Sequence, residues 1–88
     1  MTMKNHFDLR GQRIFLTGAG GAIGGATARV CATLGAELYL ADLKSPAELA
    51  KEIGAKAAFA LDNTKRDDVN AVVKDIGGTL DALIDTSG

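Results

Sequence analysis

Five of the chain's eleven glycines fall between Gly18 and Gly25, and what flanks them limits the fold more than any other feature. Just before them runs Ile14-Phe15-Leu16, set between the turn-like Arg10-Gly11 and Thr17-Gly18. A short apolar run bounded by turn signals reads as a buried strand. Just after, Ile23, Ala26, Thr27, Val30 and Leu34 recur at helical spacing, with Gly35 past the end as a cap. A strand that enters a helix through glycines has a turn free to take positive φ, whose backbone can be approached without a Cβ in the way.

The same alternation continues to the end of the chain. Glu37 to Ala41 reads as a second strand, ending at Asp42. Ser45-Pro46-Ala47-Glu48 predicts a helix start, with Ser45 as N-cap, Pro46 in the first helical position and Glu48 closing a capping box. That helix runs through Leu49 and Ile53 to Gly54. Lys56 to Leu61 reads as a third strand. Thr64 followed by Asp67 is another cap signal, and Val69, Val72, Val73 and Ile76 mark one face of a helix ending at Gly77-Gly78. Leu80 to Ile84 reads as a fourth strand. The order β-α-β-α-β-α-β implies a parallel sheet with right-handed crossovers. The expected fold is α/β, a Rossmann-type doubly wound half with strand order 3-2-1-4, and residues 1–88 read as one domain.

The turn Thr17-Gly18-Ala19-Gly20-Gly21-Ala22-Ile23-Gly24 suits an anion. A pyrophosphate needs backbone N–H groups aimed at it and the positive end of a helix behind it. Asp42, closing the second strand, stands where a carboxylate can accept hydrogen bonds from an adenosine ribose. Together these features point to a dinucleotide. The other use of such glycines is an ordinary tight turn. A P-loop is excluded, because no Gly-Lys-Ser/Thr closes the run.

On these residues the chain resembles the short-chain dehydrogenase/reductase family over nearly its whole length. Phe7-Asp8-Leu9-Arg10-Gly11-Gln12-Arg13 is similar to the family's lead-in to the first strand. Thr17-Gly18 and Ile23-Gly24 open and close the phosphate turn as the family does. Ala22 stands where the common short form has glycine, and Thr17, Gly18, Gly21 and Gly24 also fit the extended branch. The lead-in and short connections favour the common branch. The resemblance implies NAD in preference to NADP, because Asp42 would repel a 2′-phosphate. It implies cofactor contacts from Gly18, Gly20, Gly21, Ala22, Ile23, Gly24, Asp42 and Leu43. Asp62 and Asn63 are similar to the pair that meets adenine; alternatively they initiate the next helix. Asp85-Thr86-Ser87-Gly88 stands where the family usually ends its fourth strand Asn-Asn-Ala-Gly, which adds Ser87 and Gly88 to the cofactor set.

The family's chemistry uses a tyrosine and a lysine four residues apart on a later helix, with a serine before them. Here the single tyrosine, Tyr39, is followed four residues on by Leu43, so none of these residues reads as catalytic. Tyr39 reads as packing on the adenosine side of the second strand. The 88 residues therefore read as the N-terminal, adenosine-binding half of an oxidoreductase that moves hydride between NAD and an alcohol or ketone. Two other readings remain: a non-catalytic dinucleotide-binding module or sensor, and the start of an extended-family sugar-nucleotide epimerase or dehydratase.

Composition excludes several partners. Net charge is −1 with 10 basic and 11 acidic side chains, which leaves no electrostatic footprint for nucleic acid or an anionic membrane. No apolar run is long enough to span a bilayer, and Met1 to Asp8 has no signal core. Cys31 has no second cysteine to pair with, which suits a cytoplasmic protein. It reads as a small buried side chain, and no His/Cys cluster suggests a metal. His6 lies in the N-terminal segment, and Lys65-Arg66-Asp67-Asp68 reads as a solvated helix start. Leu80, Leu83 and Ile84 would leave an apolar strand at a sheet edge, so a homo-oligomer or a self-associating fragment is expected.

Overall fold

The computed structural model describes residues 8–86. Four strands form one parallel sheet: β1 (Arg13–Thr17), β2 (Glu37–Asp42), β3 (Ala57–Ala60) and β4 (Ala82–Asp85). Three helices connect them: α1 (Ala22–Thr33), α2 (Ala47–Ile53) and α3 (Arg66–Ile76). The spatial order is β3-β2-β1-β4, the order that the alternation implies. Ile14 faces Leu38 on one side and Ala82 on the other.

Strand periodicity sorts the core into two layers. Ile14, Leu16, Leu38 and Leu40 meet Ala28 and Cys31 of α1 and Ala50 of α2 on one face. Phe15, Tyr39 and Ala41 meet Leu61 and Val72, the latter from α3, on the other. Helices on both faces make the sheet doubly wound. Phe15, Leu16, Leu38 and Leu40 are fully buried. Each contributes roughly 1.5–3 kcal/mol by leaving water. No helix among the described residues is long and apolar enough to cross a membrane.

Helix α1 does not bury the stripe that apolar spacing predicts. Ile23 is 72% exposed and Val30 59% exposed, whereas Gly24, Ala28 and Cys31 are buried. The glycine turn sets the rotation: a Cβ on Gly24 would lie 2.0 Å from the Gly18 carbonyl oxygen. Gly24 must therefore face the turn, and Ala28 and Cys31 follow it at i+4 and i+7 onto the sheet. Burial also pushes the Cys31 thiol up from its ordinary pKa. On α3 the buried side is Val72 with half-buried Val69 and Ile76, and Val73 lies outside it.

Two expected caps take another form. Pro46, not Ser45, is the N-cap of α2, its carbonyl accepting the Ala50 N–H at 3.0 Å, and no side chain caps the helix. With the start one residue later, Ser45 is out of reach and the capping box with Glu48 does not form. At α3 the N-cap is Lys65, and the Thr64 hydroxyl donates to Asp62 Oδ1 at 2.6 Å instead of accepting from the helix. Gly54 ends α2 at φ +74, as a left-handed C-cap.

Tyr39 packs into the core from β2, as its place in the strand implies. Its hydroxyl lies toward the N-terminal end of the sheet, where it accepts from Arg13 Nη2 at 2.8 Å and donates to Glu37. Arg13 also donates to Glu37 at 2.9 Å and to the Gly77 and Thr79 carbonyls at 2.9 and 3.1 Å. This ties β1, β2 and the turn before β4 together. The Tyr39 hydroxyl, then the Arg13 guanidinium, hold the Glu37 carboxyl below its ordinary pKa.

Candidate cofactor site

All the ends that matter lie on the C-terminal side of the sheet. Beyond β1, Gly18 takes φ +78, a conformation that favours glycine. The chain then folds back on itself: Gly21 N–H donates to the Gly18 carbonyl at 3.1 Å, and Ala19 N–H donates to the Ala41 carbonyl at 3.0 Å. Helix α1 opens directly from this turn at N-cap Gly21. The N–H groups of Ala22, Ile23 and Gly24 belong to its first turn, where helical geometry supplies no acceptor.

Asp42 braces the turn from the neighbouring strand. Its Oδ2 accepts the Gly20 N–H at 2.8 Å and its Oδ1 accepts the Leu43 N–H at 2.7 Å. A Cβ on Gly20 would come within 2.8 Å of Asp42 Oδ2, so a side chain there would push the carboxylate off the Gly20 N–H. Two recesses meet at Asp42 and Leu43. An open cleft of about 1000 Å³ takes in Gly20, Gly21, Ala22 and Lys44. A smaller recess of about 230 Å³ takes in Gly18, Asp62 and Asn63. Leu43, 72% exposed, stands at their common rim.

The residues singled out by the sequence thus converge, with three qualifications. Gly24 and Ile23 line neither recess: Ile23 is 72% exposed, and Gly24 is buried beneath the turn, where it lets α1 sit close to Gly18. Asp62 is occupied through Oδ1 by the Thr64 N–H and hydroxyl, which hold its carboxyl below its ordinary pKa. Ser87 and Gly88 lie outside the described residues, as does His6.

Other contacts carry no signal in a single sequence. The Thr17 hydroxyl donates to Asp85 Oδ1 at 3.0 Å, and Asn63 Nδ2 donates to the same oxygen at 3.1 Å. The Thr86 hydroxyl donates to the Thr17 carbonyl at 2.9 Å and reaches the Gly18 carbonyl at 3.3 Å. These bonds join the ends of β1 and β4 with the loop after β3. Nothing in local spacing announces them, because their partners lie far apart in the chain.

A dinucleotide fits this arrangement on structural grounds. The turn is a cradle of backbone with glycine where a Cβ would collide, a helix N-terminus stands behind it, and a carboxylate lies beside it. Residues 12–88 match the family model described as short chain dehydrogenase, and the chain belongs to that family. It is 40% identical to the 3-hydroxyacyl-CoA dehydrogenase type-2 of Drosophila melanogaster, over 83% of this chain and 31% of that one. Its fold is similar to that of a 3-ketoacyl-(acyl-carrier-protein) reductase from Brucella melitensis solved with NADH. There the TM-score is 0.78 and the identity 34%, over 86% of this chain and 34% of the other. It is similar also to an NADPH-dependent 3-quinuclidinone reductase from Rhodotorula rubra. That comparison gives a TM-score of 0.72 and 32% identity, over 91% of this chain and 34% of the other. The chain thus spans about a third of the length of these relatives.

Proposed function

We propose that residues 1–88 form the adenosine-side, NAD-binding half of a short-chain oxidoreductase. The complete activity is hydride transfer between NAD and an alcohol or ketone, with a small molecule as substrate. The cytoplasm is the proposed location, and neither nucleic acid nor membrane is a proposed partner. In this reading Gly20, Gly21, Ala22 and Ile23 present the cradle to the pyrophosphate. Asp42 accepts from the ribose hydroxyls, Leu43 covers the adenine, and Asp62 and Asn63 flank the ring, with Ser87 and Gly88 further along the cofactor. Gly18 and Gly24 give the turn its shape. Bound NAD supplies the hydride acceptor; the protein's part is to hold it and fix its orientation.

The observation that carries the cofactor choice is Asp42. Its carboxylate sits at the junction of the two recesses and is braced by the Gly20 and Leu43 N–H groups. A fixed negative charge there opposes a 2′-phosphate and favours two free ribose hydroxyls. Lys44 lines the same cleft and offsets part of that charge. The neighbours divide, the Brucella reductase having been solved with NADH and the Rhodotorula reductase being NADPH-dependent, so the choice of NAD rests on Asp42.

The test is titration of the protein with both cofactors. NAD is expected to bind at least about tenfold more tightly than NADP, a difference of about 1.4 kcal/mol. Asp42→Ala should narrow that ratio. It should also weaken NAD itself, since the Gly20 N–H loses its brace. Tighter binding of NADP by the unaltered protein would overturn the role given to Asp42.

A further inference from the structure

We propose that Thr86 is a positioning residue for the cofactor cradle: its hydroxyl locks the peptide plane between Gly18 and Ala19, and with it the amides that follow. The proposal rests on the NAD-binding reading above and adds to it a residue outside both recesses. The peptide unit is rigid, so fixing its carbonyl also fixes its N–H. At one end of this plane, the Gly18 oxygen accepts the Gly21 N–H at 3.1 Å and lies 3.3 Å from the Thr86 hydroxyl. At the other end, the Ala19 N–H is held by the Ala41 carbonyl at 3.0 Å. The same hydroxyl donates to the Thr17 carbonyl at 2.9 Å, so it spans the two carbonyls that lead into the turn. It also sits against the start of α1, since a Cβ on Gly24 would approach Thr86 Oγ1 to 2.6 Å. One side chain at the end of β4 thus touches the strand end, the turn and the first helical turn.

The hydroxyl's contribution separates from that of the sheet. The Thr86 backbone N–H independently donates to the Thr17 carbonyl at 3.1 Å, and a substitution of the side chain leaves that bond in place. Valine would put a methyl where the hydroxyl now lies, at 2.9 and 3.3 Å from two carbonyl oxygens. It removes the donor and crowds the acceptors, so the plane must rotate or shift. The Gly21 N–H then loses its acceptor, and the Ala22 and Ile23 amides that follow it lose their common aim. The adenine end of the site is built by the side chains of Leu43, Asp62 and Asn63, and of this plane Gly18 alone borders it.

The experiment compares ADP with adenosine, which lacks the pyrophosphate, by titration of the unaltered protein, Thr86→Val and Thr86→Ser. Thr86→Val should bind ADP and NAD about five- to tenfold more weakly, the worth of one hydrogen bond. It should bind adenosine unchanged, and Thr86→Ser should match the unaltered protein. Amide exchange should quicken at Ala19 and Gly21, whose N–H groups are bonded at the two ends of the plane, and stay slow at residues 14–16. If Thr86→Val does not fold, Thr86→Ala removes the hydroxyl without crowding and takes its place. Equal weakening of ADP and adenosine, unchanged ADP binding, or a serine variant as weak as valine each overturn the proposal. An unaltered protein that binds adenosine but neither ADP nor NAD overturns the NAD reading itself.

Discussion

Gly21 and Gly24 lie three residues apart in the same turn and serve opposite needs. An alanine at Gly24 puts its Cβ 2.0 Å from a backbone oxygen that has no freedom to withdraw. Gly24→Ala should cost about 1–3 kcal/mol or more of stability, read from urea unfolding, and lose cofactor binding with it. At Gly21 φ is −83 and the nearest atom to an added Cβ is 3.5 Å away, an ordinary contact. Gly21→Ala should stay within about 1 kcal/mol of the parent, the scale of a changed N-cap. Its methyl would still narrow the cleft that Gly21 lines, so NAD should bind at least about tenfold more weakly, a loss of about 1.4 kcal/mol. Equal effects of the two substitutions on stability would refute this division. The sequence marks both glycines alike; only the approach of Gly18 and Thr86 distinguishes them.

Among the elements, α2 shows how a correct helix can have a wrong start. Ser45-Pro46-Ala47-Glu48 has every residue that a capping box needs, yet the chain enters the helix at Pro46 with ψ +50, and no side chain caps it. Ser45→Ala should therefore change stability by less than about 0.5 kcal/mol, against the ~1 kcal/mol of a working cap. Gly54→Ala should cost about 1 kcal/mol, because Gly54 ends the helix at φ +74. Urea midpoints of both variants check the pair: a larger loss from Ser45→Ala than from Gly54→Ala would restore the box. The two ends differ in what determines them. A left-handed C-cap follows from a single residue's permitted φ. The N-terminal start depends on how the loop from Asp42 crosses to α2.

For the whole molecule, β4 is the consequential edge. It pairs with β1 on one side and has no strand on the other among the described residues. Leu83 on that strand is 58% exposed, and Ile23 and Val30 of α1 are more exposed than apolar residues of a covered helix. Unpaired backbone groups beside apolar side chains recruit another strand. The 88-residue chain should accordingly self-associate through a second copy at β4. Sedimentation should show a concentration-dependent rise above monomer mass, reduced by Leu83→Lys. A monomer at all concentrations, with slow amide exchange along residues 82–85, would show that the edge is already protected.

What the sequence by itself determined is what neighbouring residues decide among themselves. Apolar runs of strand length, helical spacing and glycines between them imply four strands, three helices and the parallel order 3-2-1-4. They also put Gly20, Gly21, Asp42 and Leu43 at one end of the sheet. Each of those inferences rests on φ, on periodicity or on connection length, all of which act over a few residues. The tertiary structure alone decided the rotation of α1, the place of the Tyr39 hydroxyl beside Arg13, and the hold of Thr86 on the turn. The physical reason is the same in each case. A contact between residues 18 and 24 or 17 and 86 is a matter of ångströms between backbone atoms, and side-chain identity and spacing do not record it until the strands are side by side.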